Sequence, residues 1–256
     1  MARLSALRIR DFMLPSLAPA IAQLRLIPDI LRAADPALWR HLSATEPFFA
    51  LSGTLTMYAH DITTLGEITR LFDVLLAREP VFSVYMFAAI VRSRRAELFE
   101  TPDDEPEMLH SILSKLPKPL DLEALISSAR ELFEAHPPET LASWRSGAIS
   151  AASVLKTARD GDACAAQSVE TDAKVFFDRQ VAELRWAERR DKAREWLWRN
   201  RRPVRTVGFA VLVGVAAVLL RRYYPYLYPP GSTAPNSLSA ALSSLTSSLA
   251  ARWFRH

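Results

Sequence analysis

Apolar positions recur at helical spacing through the first 140 residues. Ile68, Leu71, Phe72, Leu75 and Leu76 share one helical face, and Glu79-Pro80 closes that element. Val81 to Val91 is apolar nearly all round, which predicts a buried central helix. Arg92, Arg94 and Arg95 follow it, where cations complement a helix C-terminus. Leu109, Ile112, Leu113 and Leu116 form the next stripe, stopped by Pro117 and Pro119. Asp121 is placed to cap a helix carrying Leu122, Leu125, Ile126, Ala129, Leu132 and Phe133, which Pro137-Pro138 ends. No run alternates apolar and polar residues at period two, so the pattern predicts an all-α fold.

The pattern changes after residue 141. Residues 142–168, with Ser, Gly and Asp, read as a linker, and 169–202 as a basic juxtamembrane helix. Val207 to Leu220 holds no polar side chain, and nine of its fourteen residues are Val, Leu or Phe. Together those nine contribute about −4 kcal/mol towards membrane insertion. Trp196 and Trp198 before the run, and Tyr223, Tyr224, Tyr226 and Tyr228 after it, suit two interfacial belts. Residues 203–222 are therefore expected to span a bilayer, the competing reading being a buried core helix. The 20 residues before Val207 carry eight Lys or Arg, against two in the 20 after Leu220. That asymmetry places the N-terminus in the cytosol and residues 223–256 in the lumen. Leu238, Leu242, Leu245, Leu249 and Trp253 give that tail a short amphipathic helix. Arg8, Arg10, Asp11, Pro15 and Pro19 interrupt any signal peptide; Arg3, Arg8 and Arg10 leave a mitochondrial presequence as the alternative.

Charge sharpens this division. Residues 1–183 hold 19 Lys+Arg and 25 Asp+Glu, whereas 184–256 hold 13 and 3. The pI near 9.4 thus reflects a membrane-flanking segment and tail. No aromatic surface interleaves with the basic run as base stacking requires, so no nucleic-acid partner is expected. Cys164 is the lone cysteine, and the five histidines lack metal-ligand spacing with one another or with it. Seven scattered glycines make no phosphate loop, and Asp103-Asp104-Glu105 reads as a solvated acidic turn. No catalytic, cofactor-binding or metal residue is assigned, and no cofactor is expected.

The string from Phe48 to Leu98 resembles the C-terminal half of a TBC domain, the family that accelerates GTP hydrolysis by Rab GTPases. Arg70-Leu71-Phe72-Asp73 looks like its Arg-Ile-Trp-Asp motif, with Phe72 in place of Trp. Ile9–Leu17 (IRDFMLPSL), Leu113–Pro117 (LSKLP) and Ile126–Leu141 (ISSARELFEAHPPETL) resemble an ER-anchored type within the family that carries a C-terminal membrane anchor. The resemblance spans about 8–141, so residues 1–141 are expected to form the C-terminal part of a TBC domain.

The family resemblance implies an all-helical fold and a Rab-type GTPase partner of the early secretory pathway. It also implies a mechanism with two residues inserted in trans, an arginine finger from Ile-x-x-Asp-x-x-Arg and a glutamine from Tyr-x-Gln. No Tyr-x-Gln occurs in the 256 residues. Asp29-Ile30-Leu31-Arg32, preceded by Leu26, mimics the arginine motif. Yet Arg32 lies only 41 positions before Asp73, closer than the family spacing, and Asp29 follows a proline. Arg32 is therefore read as a decoy, and Met1 as lying inside the domain. The expectation is an ER-membrane TBC protein of vesicle traffic without its catalytic fingers. The alternative is a non-catalytic tail-anchored adaptor or tether that binds a Rab or coat protein.

Overall fold

The computed structural model describes residues 2–159, 161–200, 214–216 and 218–219. Every regular element among the described residues is helical, with no strand. The chain opens with α1 (Ala2–Leu7), α2 (Ala18–Leu24), α3 (Leu26–Ala34), α4 (Pro36–His41) and α5 (Leu51–Leu55). Its middle holds α6 (Leu65–Ala77), α7 (Phe82–Ser93), α8 (Arg95–Glu100), α9 (Pro106–Leu113) and α10 (Leu122–Ala135). Then come α11 (Ala142–Arg145), α12 (Val154–Thr157), α13 (Gly161–Ala166) and α14 (Lys174–Arg199). The chain divides into two compact units, Met1–Glu188 and Arg189–His256.

In the first unit α7 is central, packed by α3, α5 and α10. Its sequence requires this: every residue from Val81 to Val91 except Ser83 is buried, and no other placement hides an all-round apolar helix. Each large side chain so buried contributes roughly 1.5–3 kcal/mol of transfer free energy. Phe133 of α10 meets Tyr85 edge-on at 5.1 Å and Phe82 at 6.1 Å. Tyr85 donates to the His136 carbonyl at 2.5 Å, and Tyr58 to the Ser83 carbonyl at 2.7 Å. Burial pushes both phenols well above their ordinary pKa. Gly53 lets α5 approach α7: a Cβ there would stand 3.1 Å from the Phe87 ring. Met57 and Tyr58 then turn the chain at φ of 50° and 64°.

Helix α10 begins as its sequence requires, with the Asp121 carboxylate accepting from Ala124 N at 3.0 Å. Helix α6 departs slightly from its apolar stripe. Leu71, Val74 and Leu75 are buried, but Leu76 is exposed because it lies about 100° round the axis from Leu75. The arginines after α7 also divide their roles. Only Arg92 lies in its last turn. Arg94 donates to the Ile112 and Lys115 carbonyls at the end of α9, and Arg95 opens α8. Arg8 likewise caps α6, reaching Leu75 O at 2.7 Å and Leu76 O at 3.1 Å.

The stretch 142–168, expected as a linker, is packed over much of its length. Trp144, Ile149, Ala152, Val154, Leu155 and Ala158 are buried. Their irregular spacing follows short helices and turns, so no single period marks them. Lys156 Nζ ties this stretch together by donating to Ile149 O at 2.9 Å and Trp144 O at 3.3 Å.

The charged segment after residue 168 forms a π-helical turn, Val169–Ala173, followed by α14. No helix among the described residues is long and apolar enough to cross a membrane. The expected span at 203–222 lies outside the described residues, apart from helical 214–216 and 218–219. The expected tail, 223–256, lies outside them entirely.

Candidate functional site

The motif at Arg70–Asp73 occupies the middle of α6. Leu71 is buried and Phe72 half-buried, while Arg70 and Asp73 face outward. Arg70 grips Glu123 with two parallel hydrogen bonds, Nε to Oε1 at 2.6 Å and Nη2 to Oε2 at 3.0 Å. Asp121 caps α10 two residues earlier, which fixes where Glu123 stands. The hydrogen bond from Arg70 holds the Glu123 carboxyl below its usual pKa, and the same bond raises Arg70. Both side chains are at least half exposed, so their pair contributes little stability.

This pair edges a groove of about 540 Å³ lined by Gly66, Glu67, Arg70 and the loop Pro119–Glu123. On the other side of Pro119 and Asp121 a second groove of about 440 Å³ is bounded by Asp35, Arg92 and Arg95. Arg95 pairs with Asp35 at 2.8 Å and lies 4.6 Å over the Phe99 ring. Burial pushes the Asp35 carboxyl up. The Leu38 amide, bound at 3.0 Å, and Arg95 outweigh that and hold it below its ordinary pKa. The two grooves carry charges of both signs beside Pro119, Leu120 and Leu125.

The arginine mimic at Asp29–Arg32 lies on α3. Asp29 accepts from the Ser143 backbone at 2.6 Å, fastening α11 to α3. Arg32 is exposed on α3 with its guanidinium 5.9 Å from the Trp39 ring. His60 lies in an exposed turn, while His110 meets Phe49 edge-on at 6.2 Å. Asp103, Asp104 and Glu105 are exposed on a turn. Among the described residues no three His, Cys, Asp or Glu side chains gather as a metal site.

A separate polar cluster is buried in the first unit. Arg10 is 2% exposed, Asp11 1%, Gln23 4%, Ser153 1% and Gln180 1%. Arg10 donates to Ala6 O at 2.7 Å, Ala152 O at 2.6 Å, Thr157 Oγ1 at 3.0 Å and Gln180 Oε1 at 3.1 Å. Asp11 accepts from Gln23 at 2.7 Å, Gln180 at 2.9 Å, Val154 N at 3.1 Å and the Ser153 hydroxyl. Burial lowers the Arg10 pKa, opposed by the Asp11 charge. One sequence signal marked the cluster. Gln180 is the only uncharged amide or hydroxyl side chain in α14.

Over residues 1–99 the chain matches the Rab-GTPase-TBC domain. It is also 36% identical over 138 residues to GTPase-activating protein gyp10 of Schizosaccharomyces pombe, covering 52% of this chain and 37% of gyp10. TBC1 domain family member 20 of Homo sapiens is 33% identical over 142 residues, covering 55% of this chain and 35% of that protein. These matches support the TBC Rab-GTPase-activating family over about half the chain, and they span little more than a third of either relative's length. The domain match takes in Arg10, Asp11, Gln23, the Arg70–Asp73 motif and all of α7. Glu123, Ser153 and Gln180, which pair with those residues, lie beyond it.

Proposed function

We propose that this chain is a membrane-held TBC protein whose helical unit recognises a Rab-type GTPase of the early secretory pathway. The observation that carries this reading is the Rab-GTPase-TBC match over residues 1–99, borne by an all-helical described fold. The two charged grooves beside Arg70 and Arg95 are the surface we assign to the GTPase. Residues 203–222 would hold the protein in the ER membrane with its N-terminus cytosolic, on the strength of their apolar run and basic flank.

This chain by itself does not supply the catalytic fingers. It contains no Tyr-x-Gln, and the spacing from Arg32 to Asp73 is too short for the family's arginine motif. An arginine finger given in trans accelerates hydrolysis by roughly 10³–10⁵. The test uses the full chain in liposomes with a GTP-loaded early-secretory Rab. Single-turnover hydrolysis should change by less than about tenfold, while the Rab co-floats with the vesicles. Deleting Val204–Leu220 should release both proteins from them. A larger acceleration abolished by Arg32→Ala would overturn the assignment of Arg32, and absence of Rab co-flotation would overturn the recognition role.

A further inference from the structure

We propose that Gln180 is a latch that fastens the start of α14 to the helical unit, and that this segment detaches there as a strap. The strap is residues 174–182. It rests on little apolar burial: Phe176, Phe177 and Val181 are half-buried, Val175 is exposed, and Gln180 is the one buried residue of α14. Besides the Phe176 ring, which lies 5.1 Å beneath the Arg10 guanidinium, what seats it is one carboxamide doing two jobs. Its oxygen accepts from Arg10 Nε at 3.1 Å, and its nitrogen donates to Asp11 Oδ1 at 2.9 Å. A carboxamide can bridge a buried guanidinium and a buried carboxylate, which neither a carboxylate nor an ammonium can do.

The pair does not depend on the latch. Without Gln180, Arg10 keeps Ala6 O, Ala152 O and Thr157 Oγ1, and Asp11 keeps Gln23, Ser153 and the Val154 amide. Lifting the strap therefore breaks two hydrogen bonds and the Phe176 contact with Arg10 and leaves no buried charge bare, so local opening is far less costly than unfolding the unit. The turn before the strap supplies a pivot. Val169–Ala173 is π-helical, a geometry that interrupts regular winding. Its near end is pinned, since Arg3 donates to the carbonyls of Cys164 at 2.9 Å, Ala165 at 3.1 Å and Gln167 at 3.3 Å. Opening is thus confined to the residues that follow the turn.

Hydrogen exchange read by mass spectrometry on the full chain in detergent tests this. In the unmodified protein, the amides of 174–182 should open at a lower urea concentration than those of α7 and α10. Gln180→Leu, which keeps the bulk and removes both hydrogen bonds, should speed exchange of 174–182 by about tenfold or more. It should leave α7 and α10 unchanged. Arg179→Ala, on the exposed flank, should alter neither. Exchange of 174–182 only in step with α7 in the unmodified protein would overturn the latch. So would unchanged protection of the strap in Gln180→Leu.

Discussion

In α7 the buried side chains are Phe, Val, Tyr, Met, Ala and Ile, and their packing is made of many weak contacts. Around Arg10 and Asp11 burial is just as deep, but every polar atom has its own partner at a set distance. The first region tolerates small displacements because each lost contact is minor. The second does not, since a buried charge that loses its counterpart keeps its full desolvation cost. The two also reach differently along the chain. Helix α7 gathers α3, α5 and α10, whereas the Arg10 cluster draws residues 142 to 170 positions away into the same unit. It thereby makes the stretch after residue 141 part of the folded unit that the domain match enters only through residue 99.

Arg10→Met tests this contrast most severely. The variant keeps an unbranched apolar stem yet removes the buried positive charge that acts on Asp11 and strands the Ala6 and Ala152 carbonyls, Thr157 Oγ1 and Gln180 Oε1. A loss of about 3–5 kcal/mol is expected. It should appear as a lowered urea midpoint at unchanged slope. A loss below about 1 kcal/mol would place the cluster on the same footing as a surface ion pair.

Sequence pattern made one of these regions legible and hid the other. Val81–Val91 could be read as a central helix because an all-round apolar run has only one place to go. The Asp121 cap could be read because its partner amide is three residues away. Arg10 and Asp11 are the residue types that ordinarily stay in water, and nothing local shows that their partners are Ala152, Ser153 and Gln180. Ile9–Leu17 stood out through family resemblance, without the reason for its Arg-Asp pair. The Arg70 motif was legible as a motif. Its grip on Glu123 was not, since 53 positions separate them. Residues 142–168 show no helical period because Trp144 and Leu155 sit in helices of only four residues and Ile149 lies between them.

Ser153→Ala probes the cluster more gently. The hydroxyl donates to Asp11 and also accepts from Leu155 N at 3.2 Å, capping α12. Asp11 keeps three other donors, so its charge is not stranded. A loss of about 1.5–3 kcal/mol is expected, the range for a hydrogen bond to a charged group. The same urea titration reads it. An effect as large as that of Arg10→Met would mean that the hydroxyl, and not the guanidinium, organises the cluster.

Met86→Leu carries the comparison to the apolar side. Met86 is fully buried in the central helix, as deeply as Ser153 is in the cluster. Leucine nearly conserves its volume, adds no polar atom and keeps helix propensity. Its branched end must find a new fit against α3, α5 and α10, and the many weak contacts there can redistribute. The loss should stay below about 1.5 kcal/mol, with the urea slope unchanged. A hydrogen bond at a buried charge has no such freedom, because its strength falls steeply with angle and distance. If Met86→Leu instead costs more than Ser153→Ala, shape governs the apolar core as strictly as pairing governs the cluster. The depth of burial, and not its chemistry, would then set tolerance in this fold.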